Sequence, residues 1–239
     1  MKTVWVALAV IGSLVGSLTV GPAAGGSVAP AILPALPHGT TRLATVRHAV
    51  TGYAWPGRHA VAKVAATWYG YRSVLPVVAM TPGWVRVRLA QRPDGSMAWI
   101  PASDVTLGST PYAIVIDSKT MHLALYDQGR KVFSAPAGIG APDDPTPRGQ
   151  FFVAFVESPP VPNDGYGPFI IVTSAHSNTI KNWEGSGDAV MGIHGPLGED
   201  REIGTSGARI SHGCIRLHLS ALRRLSAIPP GTPVTVIAG

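Results

Sequence analysis

The only cysteine of the chain, Cys214, lies close to histidines in an arrangement that can carry nucleophilic chemistry. It belongs to the segment 211–216, which reads SHGCIR, and His194 lies twenty residues upstream in the segment 192–195, GIHG. A thiolate attacks a carbonyl far better than a thiol does, and a neighbouring imidazole can accept its proton. These residue types and their glycines favour a cysteine nucleophile.

Two other roles for Cys214 stay open on the residues alone. A free cysteine often acts as a small buried hydrophobe, and the apolar neighbours of Cys214 would suit that role. A zinc site would have the right donor types, although its spacing matches no recurrent zinc motif and no second cysteine accompanies it. The four residues of such a site would be His194, His212, Cys214 and His218.

The composition indicates a folded, turn-rich protein. The chain has 239 residues, of which 46% are hydrophobic and 13% charged, with 28 Gly and 22 Pro. This length accommodates one large domain, or a medium domain with a smaller companion. A single thiol cannot form an internal disulfide, so the fold does not depend on one.

The N-terminus predicts export to the cell envelope. A basic tip precedes an apolar run of about 17 residues and then a zone of small residues, which is the pattern of a signal peptide over residues 1–25. The run is at the lower limit for spanning a bilayer, so we expect a cleaved signal, with an uncleaved anchor as the alternative. Prolines and glycines then predict an extended tether over residues 26–42.

The positive charge is concentrated in the N-terminal half. Residues 26–110 hold eight Lys or Arg and two acidic residues, whereas residues 111–239 hold ten and eleven. For an exported protein, this field suggests anionic wall polymers or lipid headgroups as partners, not nucleic acid. A basic surface that only aids solubility is the alternative. No oligomeric state is indicated.

Residues 43–108 predict a small β module. Residues 84–89 alternate as a half-buried strand, Asp94-Gly95 is a hairpin-turn signal, and residues 97–101 read as the return strand. This hairpin resembles bacterial SH3-like modules that accompany wall enzymes.

The second half, residues 111–239, predicts a mainly β domain. Alternating segments favour strands at 112–117 and 189–194, and residues 233–237 favour a closing strand. Ser220 and the prolines after residue 228 predict one short helix over residues 220–227.

The segments around His194 and Cys214 resemble the signature of the L,D-transpeptidase (YkuD-type) catalytic domain. That signature is a histidine, an intervening loop and then Ser/Thr-His-Gly-Cys-hydrophobic-Asn/Arg. Residues 146–151, TPRGQF, are similar to a Thr-Pro-x-Gly-x-Phe loop of the same family. The resemblance implies a β-sandwich catalytic domain that needs no metal or organic cofactor and acts on peptidoglycan stem peptides in cell-wall biogenesis and cell shape.

The resemblance also implies roles for individual residues. Cys214 would be the nucleophile, His194 its proton acceptor and donor, and His212 a second imidazole that shapes the site. The N–H groups of Gly213 and Cys214 would form the oxyanion hole. The implied reaction is cleavage before the terminal D-Ala of a tetrapeptide stem, a thioester on Cys214, and transfer to an amine to form a 3→3 cross-link.

Five further residues would support the site or bind substrate. Ser211 belongs to the signature itself, and the carbonyl of Gly195 could orient the catalytic imidazole. Arg216 could hold the cysteine loop or attract a substrate carboxylate. Tyr166 and Phe169 are expected to line the groove for the acyl donor.

Alternative functions stay open on the sequence. Water in place of the amine would give an L,D-carboxypeptidase, and loss of chemistry would leave a non-catalytic wall-binding protein. A zinc-dependent peptidase is the metal alternative.

Overall fold

The structure is a computed structural model that describes residues 39–161, 164–183 and 185–238. The predicted signal at 1–25 lies outside the described residues, as does the predicted tether at 26–42 except for its last four residues. Within the described ranges, no helix is long and apolar enough to cross a membrane.

The strands up to residue 110 form one seven-stranded sheet and a separate short hairpin. The nine strands are β1 (Thr41–Val46), β2 (Val50–Trp55), β3 (Arg58–Val64), β4 (Thr67–Trp68), β5 (Tyr71–Arg72), β6 (Val74–Thr81), β7 (Trp84–Arg88), β8 (Met97–Pro101) and β9 (Val105–Thr110). The sheet order is β3-β2-β8-β7-β6-β1-β9, and β4 pairs with β5. A 3₁₀ helix, Ala102–Asp104, links β8 to β9.

The predicted hairpin at residues 84–101 is present. β7 and β8 are antiparallel, with Val85 opposite Ile100 and Val87 opposite Ala98. These four side chains are buried while their neighbours along each strand are half-buried, which is the two-residue period of a strand packed on one face. The SH3-like assignment of this region stays a prediction.

The ten strands that the structure describes after residue 111 form a second sheet of eight strands and a separate short pair. They are β10 (Tyr112–Asp117), β11 (His122–Asp127), β12 (Arg130–Pro136), β13 (Ile139–Gly140), β14 (Gly149–Glu157), β15 (Ile170–His176), β16 (Val190–His194), β17 (Arg209–Ser211), β18 (Ile215–Arg216) and β19 (Pro233–Ile237). Their order is β12-β11-β10-β19-β14-β15-β16-β18, and β13 pairs separately with β17. The predicted fold class, mainly β with one short helix, is confirmed.

The predicted extent of the helix is wrong. The helix α1 spans Leu219–Arg223, and its N-cap, His218, makes no side-chain capping hydrogen bond. The next residues do not continue the α-helix. The N–H groups of Leu225 and Ile228 each donate to a carbonyl three residues back. Such i→i−3 bonds have the pitch of a 3₁₀ turn and do not extend an α-helix.

Strand β14 is buried on both faces and joins the two halves of the molecule. Phe151 and Val153 belong to the core of the second sheet, whereas Phe152 and Ala154 pack with the buried face of the first. A register shift between Val153 and Phe155 turns Phe155 to the same side as Phe152. The two sheets therefore share a hydrophobic core at β14, to which Ile170 and Val172 of the neighbouring β15 also contribute.

We expect this shared core to be a major source of stability. Phe152 is fully buried, so Phe152→Ala should lower the free energy of unfolding by about 3–5 kcal/mol in urea denaturation. Val132→Ala, at a valine that is 52% exposed, is the control and should change it by less than about 0.5 kcal/mol. A loss below about 1 kcal/mol for Phe152→Ala would show that the two sheets do not depend on this contact.

Candidate active site

The pairing of β16 with β18 brings the predicted nucleophile and base together. The two strands are parallel, with Ile193 opposite Ile215, and Cys214 immediately precedes β18. The N–H of Gly192 on β16 donates to Cys214 Sγ at 3.3 Å. Cys214 and His194 both line one cavity of about 430 Å³. A substrate that enters this cavity meets the thiol and the imidazole at once.

The His194 ring is held in one orientation by its own strand end. Its Nδ1 lies 2.8 Å from the carbonyl oxygen of Gly195, and the ring edge lies against Tyr166 with centroids 4.8 Å apart. Because a carbonyl oxygen only accepts, Nδ1 carries the hydrogen in this contact. The other nitrogen, Nε2, is therefore the one that can accept a proton.

Gly195 fits its position because it has no side chain. Its N–H donates to the Tyr166 carbonyl at 2.7 Å, and a Cβ there would lie 2.9 Å from the same oxygen. The close approach of residues 165–166 thus fixes the carbonyl that orients His194. The structure places Gly195 in the position that its predicted role requires.

Burial keeps both members of the pair neutral at rest. Burial lowers the pKa of His194 to about 4, with the charge of Arg216 acting in the same direction, while the Gly195 carbonyl and Asp164 oppose it. Burial raises the pKa of the Cys214 thiol, and the N–H of Gly192 opposes that shift. At neutral pH the site therefore holds a thiol and a neutral imidazole.

A set of hydrogen bonds fixes the backbone around Cys214. The Ser211 hydroxyl donates to the Cys214 carbonyl at 2.6 Å, and the Gly213 N–H donates to the same hydroxyl at 3.1 Å. The Thr146 hydroxyl donates to the Gly213 carbonyl at 2.9 Å and accepts from the Gly140 N–H at 2.9 Å. Thr146 comes from the TPRGQF segment, so that loop supports the cysteine turn directly.

Gly213 is a position that only glycine can hold without strain. Its φ is +114°, and a Cβ there would overlap the sulfur of Met191. Its N–H already has the Ser211 hydroxyl as acceptor. An oxyanion role for that N–H, as the resemblance implies, would require it to exchange this partner for the substrate oxygen.

Arg216 is tied to the chain around it and also lines the cavity. Its guanidinium forms an ion pair with Glu199, and its backbone exchanges two 2.8 Å hydrogen bonds with Gly138. Its Nε is buried without a hydrogen-bond partner, and burial lowers the pKa of the guanidinium. These contacts hold the cysteine loop.

The remaining predicted residues divide between the cavity and the core. Tyr166 lines the cavity, and the exposed His212 does so with its ring centroid 5.2 Å from that of Trp183. Phe169 does not line this cavity and packs against the core of the second sheet. Sequence reasoning missed Trp183, whose apolar ring in a polar loop was the one available signal.

The residues of the zinc alternative are not gathered into a ligand set. Over the part of the chain that the structure describes, no group of three or more His, Cys, Asp or Glu side chains is placed to hold a metal ion. His218 instead pairs with Asp200, at 2.9 Å between Nδ1 and the carboxylate.

Comparison with known proteins identifies the family of this fold and site. Residues 111–236 match the family model YkuD, described as the L,D-transpeptidase catalytic domain, and the chain belongs to this family. A Bacillus licheniformis protein named as an L,D-transpeptidase YkuD is 29% identical over 127 residues. That match covers 53% of this chain and 66% of the relative.

Two solved structures are also similar to the chain. An L,D-transpeptidase from Mycobacterium smegmatis is 18% identical, with 84% of this chain and 100% of that chain covered and a TM-score of 0.45. The catalytic domain of the E. faecium L,D-transpeptidase is 26% identical, with coverage of 53% and 96% and a TM-score of 0.36.

The lowered pKa of His194 predicts that the rate of Cys214 acylation changes little as the pH falls from 7 to 5.5. For an imidazole with the ordinary pKa of about 6.5, the fraction in the neutral form would fall about eightfold between pH 7 and pH 5.5. Because the pKa of His194 is about 4, its neutral form should persist over that range. We expect the rate of Cys214 acylation by a carbapenem, followed by intact-protein mass spectrometry, to fall by less than about twofold.

Circular dichroism at each pH controls for unfolding. An eightfold loss of acylation by a folded protein would show that His194 titrates like an exposed histidine.

Proposed function

We propose that the protein is an exported, cysteine-dependent L,D-transpeptidase that cross-links peptidoglycan stems. The observation that carries the proposal is the pair of Cys214 and an oriented, neutral His194 in one cavity, within a chain of this family. The proposed donor is a tetrapeptide stem, whose third residue is a diamino acid joined through its L-centre to a terminal D-Ala.

In the first half-reaction Cys214 becomes acylated. His194 Nε2 takes the thiol proton as Sγ attacks the carbonyl carbon of the third stem residue. The tetrahedral intermediate collapses with cleavage of the C–N bond, and the departing D-Ala amine takes the proton from His194. A thioester on Cys214 and free D-Ala result.

In the second half-reaction the side-chain amine of a neighbouring stem attacks the thioester. His194 takes a proton from this amine, the C–S bond breaks, and the proton returns to the Cys214 sulfur. The product is a 3→3 cross-link, and the neutral resting pair is restored. If water takes the place of the amine, the same thioester gives an L,D-carboxypeptidase.

One feature of the sequence and the location of the proposed substrate support a place in the cell envelope. Residues 1–25 have the pattern of a signal peptide, and the substrate polymer lies outside the cytoplasmic membrane. The basic N-terminal region would then hold the enzyme on anionic wall polymers.

The central test uses purified disaccharide-tetrapeptide with the wild-type protein and Cys214→Ala, followed by mass spectrometry. Dimers that have lost one D-Ala per cross-link are expected for the wild type and should be absent for Cys214→Ala, since no other residue supplies a thiol. His194→Ala should lower the rate by at least about 100-fold.

His122→Ala, at an exposed histidine on β11, is the matched control and should retain full activity. Tripeptide without dimer would identify a carboxypeptidase. A wild-type protein that neither releases D-Ala nor forms a carbapenem adduct would contradict the catalytic proposal. Non-catalytic binding to the cell wall would then be the function that is left.

Binding to isolated cell walls tests the role of the basic region. Exposed ionic contacts are screened by salt, so the fraction of protein that sediments with the walls should fall severalfold between about 50 mM and about 500 mM NaCl. Binding that is unchanged over this range would contradict an electrostatic role.

A further inference from the structure

The loop between β7 and β8 of the first sheet reaches the catalytic half of the molecule through Arg92. Its Nε donates to Asp188 at 2.9 Å, and its Nη2 lies 2.8 Å from the same carboxylate. Its Nη1 donates to the carbonyl of Ser177 at 2.9 Å. One guanidinium thus binds both a side chain and the backbone of the segment between β15 and β16.

Asp94, an acidic residue of the same β7–β8 loop, completes a closed network. Asp94 accepts from the backbone N–H of His176 at 3.1 Å and lies 2.7 Å from Nδ1 of its ring. The other ring nitrogen, Nε2, lies 3.2 Å from Asp188, and the His176 side chain is only 1% exposed. Two carboxylates, an imidazole and a guanidinium therefore connect the β7–β8 loop to both ends of the β15–β16 segment.

The segment that this network holds is a wall of the catalytic cavity. We define the wall loop as residues 177–183 and 185–189, and five of its residues line the cavity: Ile180, Trp183, Ser186, Asp188 and Ala189. Trp183 packs on His212, two residues before the nucleophile. The wall loop has internal backbone bonds, from Ser177 to Ala189 and from Trp183 to Asp188, but Arg92 supplies contacts from outside it.

Loss of Arg92 would affect the wall loop more than the chemistry. The Ser177 carbonyl would lose a charge-assisted hydrogen bond, and Asp188 would lose its arginine partner and keep its contacts with His176 Nε2 and the Ala189 N–H. Cys214, His194 and the Gly195 carbonyl are held by β16 and the cysteine turn, which Arg92 does not contact. A displacement of the wall loop by about 1 Å would change how the cavity binds an extended peptide.

We infer that Arg92 is a positioning residue that fixes the wall loop against which the donor stem binds. The inference rests on the proposed function, since it assigns part of the donor site to a residue outside the family domain. Arg92 acts through Asp188 and the loop backbone and does not itself touch the reacting atoms.

Steady-state release of D-Ala from disaccharide-tetrapeptide tests the inference in the full-length protein. Arg92→Ala should raise KM by about tenfold or more and change kcat by less than about threefold. Arg92→Lys keeps the charge but loses the forked contact, so its KM should be intermediate. Arg130→Ala, at an exposed arginine of the β11–β12 turn, is the matched control and should leave both constants unchanged.

Hydrogen exchange provides a readout that does not depend on activity. Arg92→Ala should accelerate amide exchange in residues 177–183 by about tenfold or more and leave exchange in β19 unchanged. An unchanged KM would overturn the inference, as would a loss of kcat with faster exchange throughout the protein. If the wild-type enzyme releases no D-Ala, the proposed function fails, and unchanged exchange in the wall loop would still overturn the positioning role.

Discussion

The parallel contact between β16 and β18 is the constraint on which the site depends. Parallel neighbours cannot be joined by a tight hairpin, so the chain must leave His194, travel through residues 195–210 and return to the same edge. An ion pair between Glu199 and Arg216 and a hydrogen bond between Asp200 and His218 tie this excursion back to the strand and its continuation. The long connection is therefore the element that brings Cys214 back beside the strand that carries His194.

The N-terminal half of the molecule contributes to the same cavity through the β4–β5 hairpin, which packs on β14. The ring of Tyr71 stacks on Phe155 with centroids 4.2 Å apart, and the neighbouring Tyr69 lines the cavity together with Phe155. Arg92 comes from the β7–β8 loop of the first sheet and binds the wall loop at Asp188. The catalytic signature is confined to the second half of the chain, whereas the space around it is built by both halves.

The sequence alone predicted the features that depend on local pattern. The β7–β8 hairpin follows from alternation and an Asp-Gly turn, and the family was identified because the segments around His194 and Cys214 resemble its signature. Contacts between distant segments were not predictable, since Thr146 and Gly213 are 67 residues apart and Arg92 and Asp188 are 96 apart. The extent of the helix was missed because tight i→i−3 turns and α-helix share the same residue preferences near a proline.

The neutral resting state of Cys214 affects how readily its sulfur is oxidised. Peroxides and disulfides react with the thiolate, so the burial that raises the pKa of this thiol also slows its oxidation. A second cysteine, which could rescue a sulfenic acid by forming a disulfide, does not exist in the chain. For an enzyme proposed to work outside the reducing cytoplasm, desolvation of the sulfur supplies the protection that a resolving thiol gives elsewhere.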